Sequence, residues 1–521
     1  MFGSIVFKVN LYLSKGKCSL ILQRWLVDHK YFVVVFFLSL ILQVLALMAI
    51  GVPLVEGDDI WAATSIVGNT LDNIIFTMRF DLHPPVYYVF MDMWGAISKT
   101  DFWLTFSSIF LHSLLCSSVY YVANSLFGKR IALVSVLLVF SSPLLLEYAI
   151  RLRMYSLISL LSLWAFYLSH HWFNDKKKRH TKILFLISLL LANVHAVGIL
   201  FVFSHFFYGF IKGVQIKKAK LIYQWIAVFL GVFILTIPSI GNSFFKSVTH
   251  AIVPKPSSFH EIIIDVLFNF YFLPTLLAIF TALVMSFMIL KEAKTRYVFI
   301  AYVVTPLVLF ALISILVKPM WLNRNFVFMI PMFSILIACC IETLSAYTRK
   351  PIAILSVITC LLVSFNLEKS ISKRLDKEQI GLIQLTIFIG DVSPSVKKCF
   401  ITTSKMINFW QILRYSVNVD WGNAMEIQPP MNEKWQQLAK KLPKKVSDSL
   451  KLTGASNYFE NEKLIVSSGW TDRCLQNDVE ELYMVTGDKK ELIQPNFENN
   501  SELKFVLNQD FSPFYVYKRL K

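Results

Sequence analysis

The chain has 521 residues, 56% of them hydrophobic and 15% aromatic, with a mean hydropathy of +0.58 and a formal net charge of +18. Such apolarity excludes an ordinary soluble domain. The charge does not mark a nucleic-acid binder: residues 1–366 hold 29 Lys/Arg against 14 Asp/Glu and residues 367–521 hold 22 against 19, so the excess lies in short clusters between hydrophobic runs.

Residues 1–30 form a basic segment (Lys8, Lys15, Lys17, Arg24, Lys30) ahead of the first apolar run. That run, near 31–53, is too long for a signal-peptide core and lacks a small-residue cleavage site, so it reads as an uncleaved anchor. Further spans are expected near 102–126, 130–147, 154–173, 182–197, 198–213, 221–241, 265–290, 297–317, 326–347 and 351–366, about eleven in all. Helices near 60–78 and 84–98 are too short or too polar to cross and should lie along the outer surface. With the N-terminus inside, the inner segments carry 21 of the 29 Lys/Arg of residues 1–366, the bias expected of a cytoplasmic face. The expected architecture is thus an all-α polytopic membrane domain over 31–366, with a first outer loop at 54–101 and a cytoplasmic segment at 1–30. An odd number of spans puts residues 367–521 outside, where short apolar runs (398–403, 464–470) alternate with helix-like stretches (406–415, 432–441), as in a small soluble α/β domain.

The seven cysteines show no CxxC pair and no zinc spacing. Cys116, Cys339, Cys340 and Cys360 lie in spans as small packing residues; whether Cys399 and Cys474 of the tail pair stays open.

Candidate chemistry concentrates on the outer side. Half of the 14 acids of residues 1–366 fall between Glu56 and Asp101. Asp58 and Asp59 follow the first span at the membrane–water boundary, where a partly desolvated carboxylate can serve as a general base, or merely end a helix as a solvated acid. Asp81-Leu82-His83-Pro84-Pro85-Val86-Tyr87-Tyr88 comes next. Its prolines start a helix at a set place and hold Asp81 and His83 at the interface; the plainer reading makes Asp81 a cap. In Glu147-Tyr148-Ala149-Ile150-Arg151-Leu152-Arg153-Met154-Tyr155, Glu147 and Arg151 have the spacing of a helical ion pair, as do Arg151 and Tyr155. Arginines on the disfavoured side of a membrane invite an anionic partner such as a lipid phosphate, whose oxygens suit the guanidinium fork, although snorkelling arginines in a structural pair explain them too. Lys318 and Arg324 repeat that logic; His195, at an outer turn, reads as a packing or turn residue before a ligand. No metal-ligand spacing, P-loop or dinucleotide-binding glycine motif is present.

Together, the acidic pair after the first helix, Asp-x-His-Pro-Pro-x-Tyr-Tyr, the Arg-Met-Tyr that follows a span containing Ser142-Pro143, and the late Lys-Pro…Arg resemble the polytopic GT-C glycosyltransferases. The resemblance covers roughly residues 31–345 and points to the bacterial branch related to protein O-mannosyltransferases, lipid A aminoarabinose transferases and lipopolysaccharide-core sugar transferases. It implies a bacterial inner-membrane enzyme that moves a sugar from a polyprenyl-phosphate donor to an acceptor hydroxyl at the outer face. The acceptor would be an envelope glycolipid, polysaccharide or protein. Asp58 matches the catalytic aspartate and Asp59 its partner, more often glutamate; Arg153 and Tyr155 match Arg-x-Tyr, and Arg324 the late arginine. Two departures concern the donor head: Arg151 stands where the family often has glutamate, and Asn325 where it often has tyrosine. The implied reaction is a single inverting displacement, with Asp58 or Asp59 as base, Arg151, Arg153, Arg324 and Lys318 near the phosphate, and Asp81, His83 and His195 as positioning groups. Phosphate is already a competent leaving group, so no cofactor is called for and a divalent metal is not obligatory. A transporter or flippase of lipid-linked sugars, or a non-catalytic membrane scaffold, would share the spans and outward cations. The former should show ionisable groups deep within spans or an internal repeat.

Overall fold

A computed structural model of the chain describes residues 29–50, 59, 62, 63, 74, 83–175, 178–217, 219–250, 300–316 and 323–348, and seven strands between 398 and 519. The spans expected near 265–290 and 351–366, most of the surface helix near 60–78, and the helix-like stretches of the tail lie outside the described residues, as does Cys474.

The helical part begins with α1 (Lys30–Ile50), uncharged beyond its first residue. Helix α2 (Val86–Gly95) starts directly after Pro84-Pro85, where proline costs no hydrogen bond. Helix α3 (Asp101–Phe127) opens on Thr100, whose hydroxyl accepts the Trp103 N–H, and ends at Gly128. Gly128 has φ 100°, a backbone conformation that suits glycine, and one residue suffices to reverse the chain into α4 (Lys129–Ser141).

The expected span near 130–147 is not one straight helix. It is bent by 63° between α4 and α5 (Pro143–Ala149). Pro143 has no N–H to donate and its ring would clash with the carbonyl four residues back, so the helix must break and restart there. Helices α6 (Tyr155–Asp175), α7 (Lys178–Val194), α8 (Gly198–Ile216) and α9 (Ala219–His250) then run back and forth. A π-helical turn (Ile300–Val304) leads into α10 (Thr305–Leu316), and a 3₁₀ turn (Asn323–Met329) into α11 (Ile330–Thr348).

Among the described residues four helices are long and apolar enough to cross a membrane, and a fifth if the bent pair counts as one. They divide by burial. Only 17% of the apolar stretch Lys30–Met48 is buried, and Phe37, Leu38, Ile41 and Leu45 are exposed, as suits a helix facing lipid. By contrast 89% of Arg324–Glu342 is buried, so α11 lies at the centre. Between the helices, small and polar residues let backbones approach, as in membrane bundles generally. Ser107, Ser113 and Ser117 of α3 and Ser159 and Ser169 of α6 are fully buried and return their hydroxyls to carbonyls of their own helix. A Cβ at Gly209 of α8 would collide with the Trp225 indole of α9, whose N–H donates to Phe206 O at 3.0 Å.

The strands of the tail are β1 (Lys398–Thr402), β2 (Tyr458–Glu460), β3 (Leu464–Ser467), β4 (Glu481–Thr486), β5 (Leu492–Ile493), β6 (Phe505–Phe511) and β7 (Phe514–Arg519). They form one mixed sheet in the order β2-β3-β1-β4-β7-β6-β5. β1 pairs parallel with β3 and β4, so Cys399 stands opposite Ile465 on one side and Leu482 on the other; the remaining pairs are antiparallel.

Candidate active site

Consecutive antiparallel helices place alternate connections on the same side. The α5–α6 connection (residues 150–154) and the α7–α8 connection (195–197) therefore share one end of the bundle. Side chains from five places in the chain converge there.

The α5–α6 connection is the centre of the cluster. Arg153 is 6% exposed, and its N–H donates to Arg151 O at 2.8 Å, a tight turn that starts α6 two residues later. Asp59, 5% exposed, reaches this turn from 93 residues earlier: its Oδ1 accepts the Leu152 N–H at 3.0 Å. A buried carboxylate bonded to backbone sets the path of the loop, so Asp59 shapes the segment that carries both arginines. Glu147 and Arg151 form the ion pair that their spacing suggests, Oε1 to Nη2 at 3.5 Å, both half-buried. The helix ends before Arg151, so the spacing of Arg151 to Tyr155 is not helical.

Aromatic and imidazole rings form the rest of the wall. Tyr148 packs on Tyr155 with centroids 4.2 Å apart, Tyr155 on His195 at 5.9 Å, and His195 on His83 at 4.7 Å. Arg324, opening the 3₁₀ turn, acts with Arg153 on both Tyr148 and His195 through its charge, which puts both arginines beside this row of rings. Ser159 of α6 donates to Val327 O at 3.3 Å and so ties the 3₁₀ turn to the start of α6. Tyr87 of α2 closes another side, fully buried. Burial first, and then the Asp59 charge, hold its hydroxyl above the usual phenol range, with the Arg153 charge acting the other way.

His195 lies in the turn beyond α7, outside the spans. Burial first, and then the charges of His83, Arg324 and Arg153, hold its imidazole well below the ordinary histidine range. It is a neutral ring at physiological pH.

Of the candidate residues, the structure thus brings Asp59, His83, Arg151, Arg153, Tyr155, His195 and Arg324 into one region, while Asp58, Asp81 and Lys318 lie outside the described residues. Tyr87 and Tyr148, given no role above, join them, and Asn325, noted above as a departure from the family pattern, is buried next to Arg324 in the chain. Tyr87 had a readable signal, since it sits in the first turn after Pro84-Pro85; Tyr148 meets Tyr155 across a loop, which no periodicity reveals. Among the described residues no three of His, Cys, Asp and Glu form a metal-binding group.

No protein-family model matches the chain, and no curated protein matches it. Solved structures do. ArnT from Cupriavidus metallidurans bound to undecaprenyl phosphate superposes with a TM-score of 0.51 at 10% identity, over 95% of this chain and 98% of that one. The same ArnT in the apo state gives 0.50 at 11% identity, over 96% and 98%. The Archaeoglobus fulgidus oligosaccharyltransferase in the apo form scores 0.47 at 10% identity, over 79% and 68%. Near-complete mutual coverage with ArnT, together with the apolar helices, identifies this chain as an integral membrane protein of the GT-C fold.

Proposed function

We propose that this protein is a glycosyltransferase that takes a sugar from a polyprenyl-phosphate donor and passes it to an acceptor hydroxyl on the outer side of a bacterial inner membrane. The observation that carries the reading is the buried turn at Arg153. There Arg153 and Arg324 stand beside His195, which packs with His83 and Tyr155, in a chain whose fold matches, over nearly its whole length, that of an ArnT bound to undecaprenyl phosphate. The planar guanidinium fork suits phosphate oxygens, and a lipid phosphate keeps its apolar tail in the bilayer.

In the proposed reaction the acceptor oxygen attacks the anomeric carbon, the bond from that carbon to the phosphate oxygen breaks, and the configuration inverts. Asp58 takes the acceptor proton, with Asp59 as the second choice. Asp59 already bonds to Leu152 N–H, a role that suits holding the arginine turn better than taking a proton. The electron pair of the broken bond goes to the phosphate, where Arg153 and Arg324 stabilise the added charge, with Arg151 and Lys318 as further candidates. Asp81 and His83 position the first outer loop. The acceptor is proposed to be an envelope glycolipid ahead of a polysaccharide or a protein, with the tail at 367–521 outside and available to recognise it.

The test is sugar transfer from a polyprenyl-phosphate donor by purified protein carrying Asp58→Asn. Loss of about 10²–10⁴-fold, the range for a general base, is expected with folding retained. Transfer at the wild-type rate would remove Asp58 from the mechanism.

A transporter of lipid-linked sugars has one feature in its favour: His112 of α3 and His205 of α8 are fully buried within the bundle. Each is met by a neutral partner on a neighbouring helix, Gln43 at 3.0 Å and Tyr302 at 2.8 Å, an arrangement that holds helices together without requiring an ion path.

A further inference from the structure

The ring of His195 is fastened on one side only. Its Nδ1 accepts the backbone N–H of Val197 at 3.1 Å, and its carbonyl accepts the N–H of Gly198 at 2.8 Å, closing the turn between α7 and α8. Glycine is required there, because a Cβ on residue 198 would collide with the Leu191 carbonyl. A ring nitrogen that accepts a hydrogen bond cannot carry the proton, so the neutral imidazole must carry it on Nε2. Nε2 is the nitrogen further from the backbone. Among the described residues no hydrogen bond engages it. The groups facing the ring are His83 from the segment before α2, Tyr155 from α6, Arg153 from the α5–α6 turn and Arg324 from the 3₁₀ turn. Two fixed cations beside it oppose a third charge.

We infer that His195 is a phosphate-binding residue of the donor site, giving one hydrogen bond from Nε2–H to a phosphate oxygen while remaining neutral. The inference rests on the proposed polyprenyl-phosphate chemistry and adds to it the sense of the bond, the tautomer and the charge state. A neutral donor adds direction to a site whose net charge the arginines already supply. An imidazolium would bring a further cation that must be neutralised again each time the lipid phosphate leaves.

Binding of undecaprenyl phosphate to the purified full-length protein in detergent, read by tryptophan fluorescence, tests this with two variants. His195→Asn places its amide near the Nδ1 position and loses the distal donor, so affinity should fall about tenfold or more. His195→Gln carries an N–H to the Nε2 position and should stay within about threefold of wild type. Wild type and His195→Gln should also share one pH dependence between about pH 6 and 8, where an ordinary histidine titrates. Three results would overturn the inference. One is wild-type affinity in His195→Asn. Another is an equal loss in both variants, which makes the residue a turn support. The third is a gain in affinity on acidification seen in wild type and absent from His195→Gln, which makes it a cation. If wild type itself fails to bind undecaprenyl phosphate, the functional reading falls, and this inference with it.

Discussion

Polar groups are buried in two regions of this bundle, and they are handled in opposite ways. Within the helical bundle several of them pair as neutral groups. His112 meets Gln43, which also bonds Ser39 and Ser113; His205 meets Tyr302; His170 meets Tyr208 at 2.9 Å. Each pair joins two elements, α1 to α3, α8 to the π-helical turn and α6 to α8. At the Arg153 turn charged groups, Arg153 and Asp59 among them, are buried beside neutral rings, and the cluster gathers from five parts of the chain. Buried polarity alone therefore does not mark a site in a membrane protein. The neutral pairs tie helices together, because each hydrogen bond made in an apolar surround offsets part of the cost of burying its groups. The charged cluster instead sets Arg153 and Asp59 beside a row of rings at one end of the bundle, where removing one charge leaves the others poorly compensated.

The largest effect should come from breaking the charged region. Arg153→Ala is expected to lower sugar transfer by about 10²–10³-fold, the scale of losing one preorganised group that stabilises transition-state charge. Arg153→Lys should recover only part of it, since a point charge does not replace the planar fork. Rates with a polyprenyl-linked donor, alongside a thermal melt, separate this from misfolding. The neutral framework should fail differently. Gly209→Val drives a branched side chain into Trp225 and should cost about 1–3 kcal/mol of stability, read as a lowered Tm in detergent. Tyr302→Phe removes the partner of His205 and should cost about 1 kcal/mol while leaving undecaprenyl phosphate binding intact. A loss of binding there would erase the distinction between the regions. Glu147→Gln, which breaks a half-buried ion pair at the edge of the cluster, should shift stability by about 1 kcal/mol or less.

A pH effect sharpens the same contrast. His195 binds its proton less readily when folded than when unfolded. Its contribution to stability is therefore complete above the unfolded value of about 6.5 and declines as pH falls below it, where the unfolded chain takes up the extra proton. The drop in Tm between about pH 7.5 and 5 should be larger in wild type than in His195→Gln. An equal drop in both would show that the ring is not held neutral.

The helices were largely legible in the chain itself. Long apolar runs in a membrane become helices, because a helix satisfies its own backbone there, and α1, α3 and α6 to α8 begin and end within a few residues of the expected bounds. The Glu147–Arg151 pair was legible for the same reason, being local. The 63° break at Pro143 was not read, although the residue that causes it was in view, since apolar length says nothing of direction. The strands β1 and β3 fell where apolar runs in the tail suggested, but their parallel pairing with each other depends on contacts between distant segments.

By itself, then, the sequence determined where the apolar helices run, which residues are charged, and which segments between helices hold them. Local periodicity and transfer energy decide those matters. Only the tertiary structure decided that Asp59 turns to the Leu152 amide, that His83 packs at a tilt on His195, and that Arg324 stands with Arg153. Those partners lie far apart in the chain, and their meeting depends on how helices pack side by side. Packing energies are spread over many small contacts and leave no local mark in the sequence.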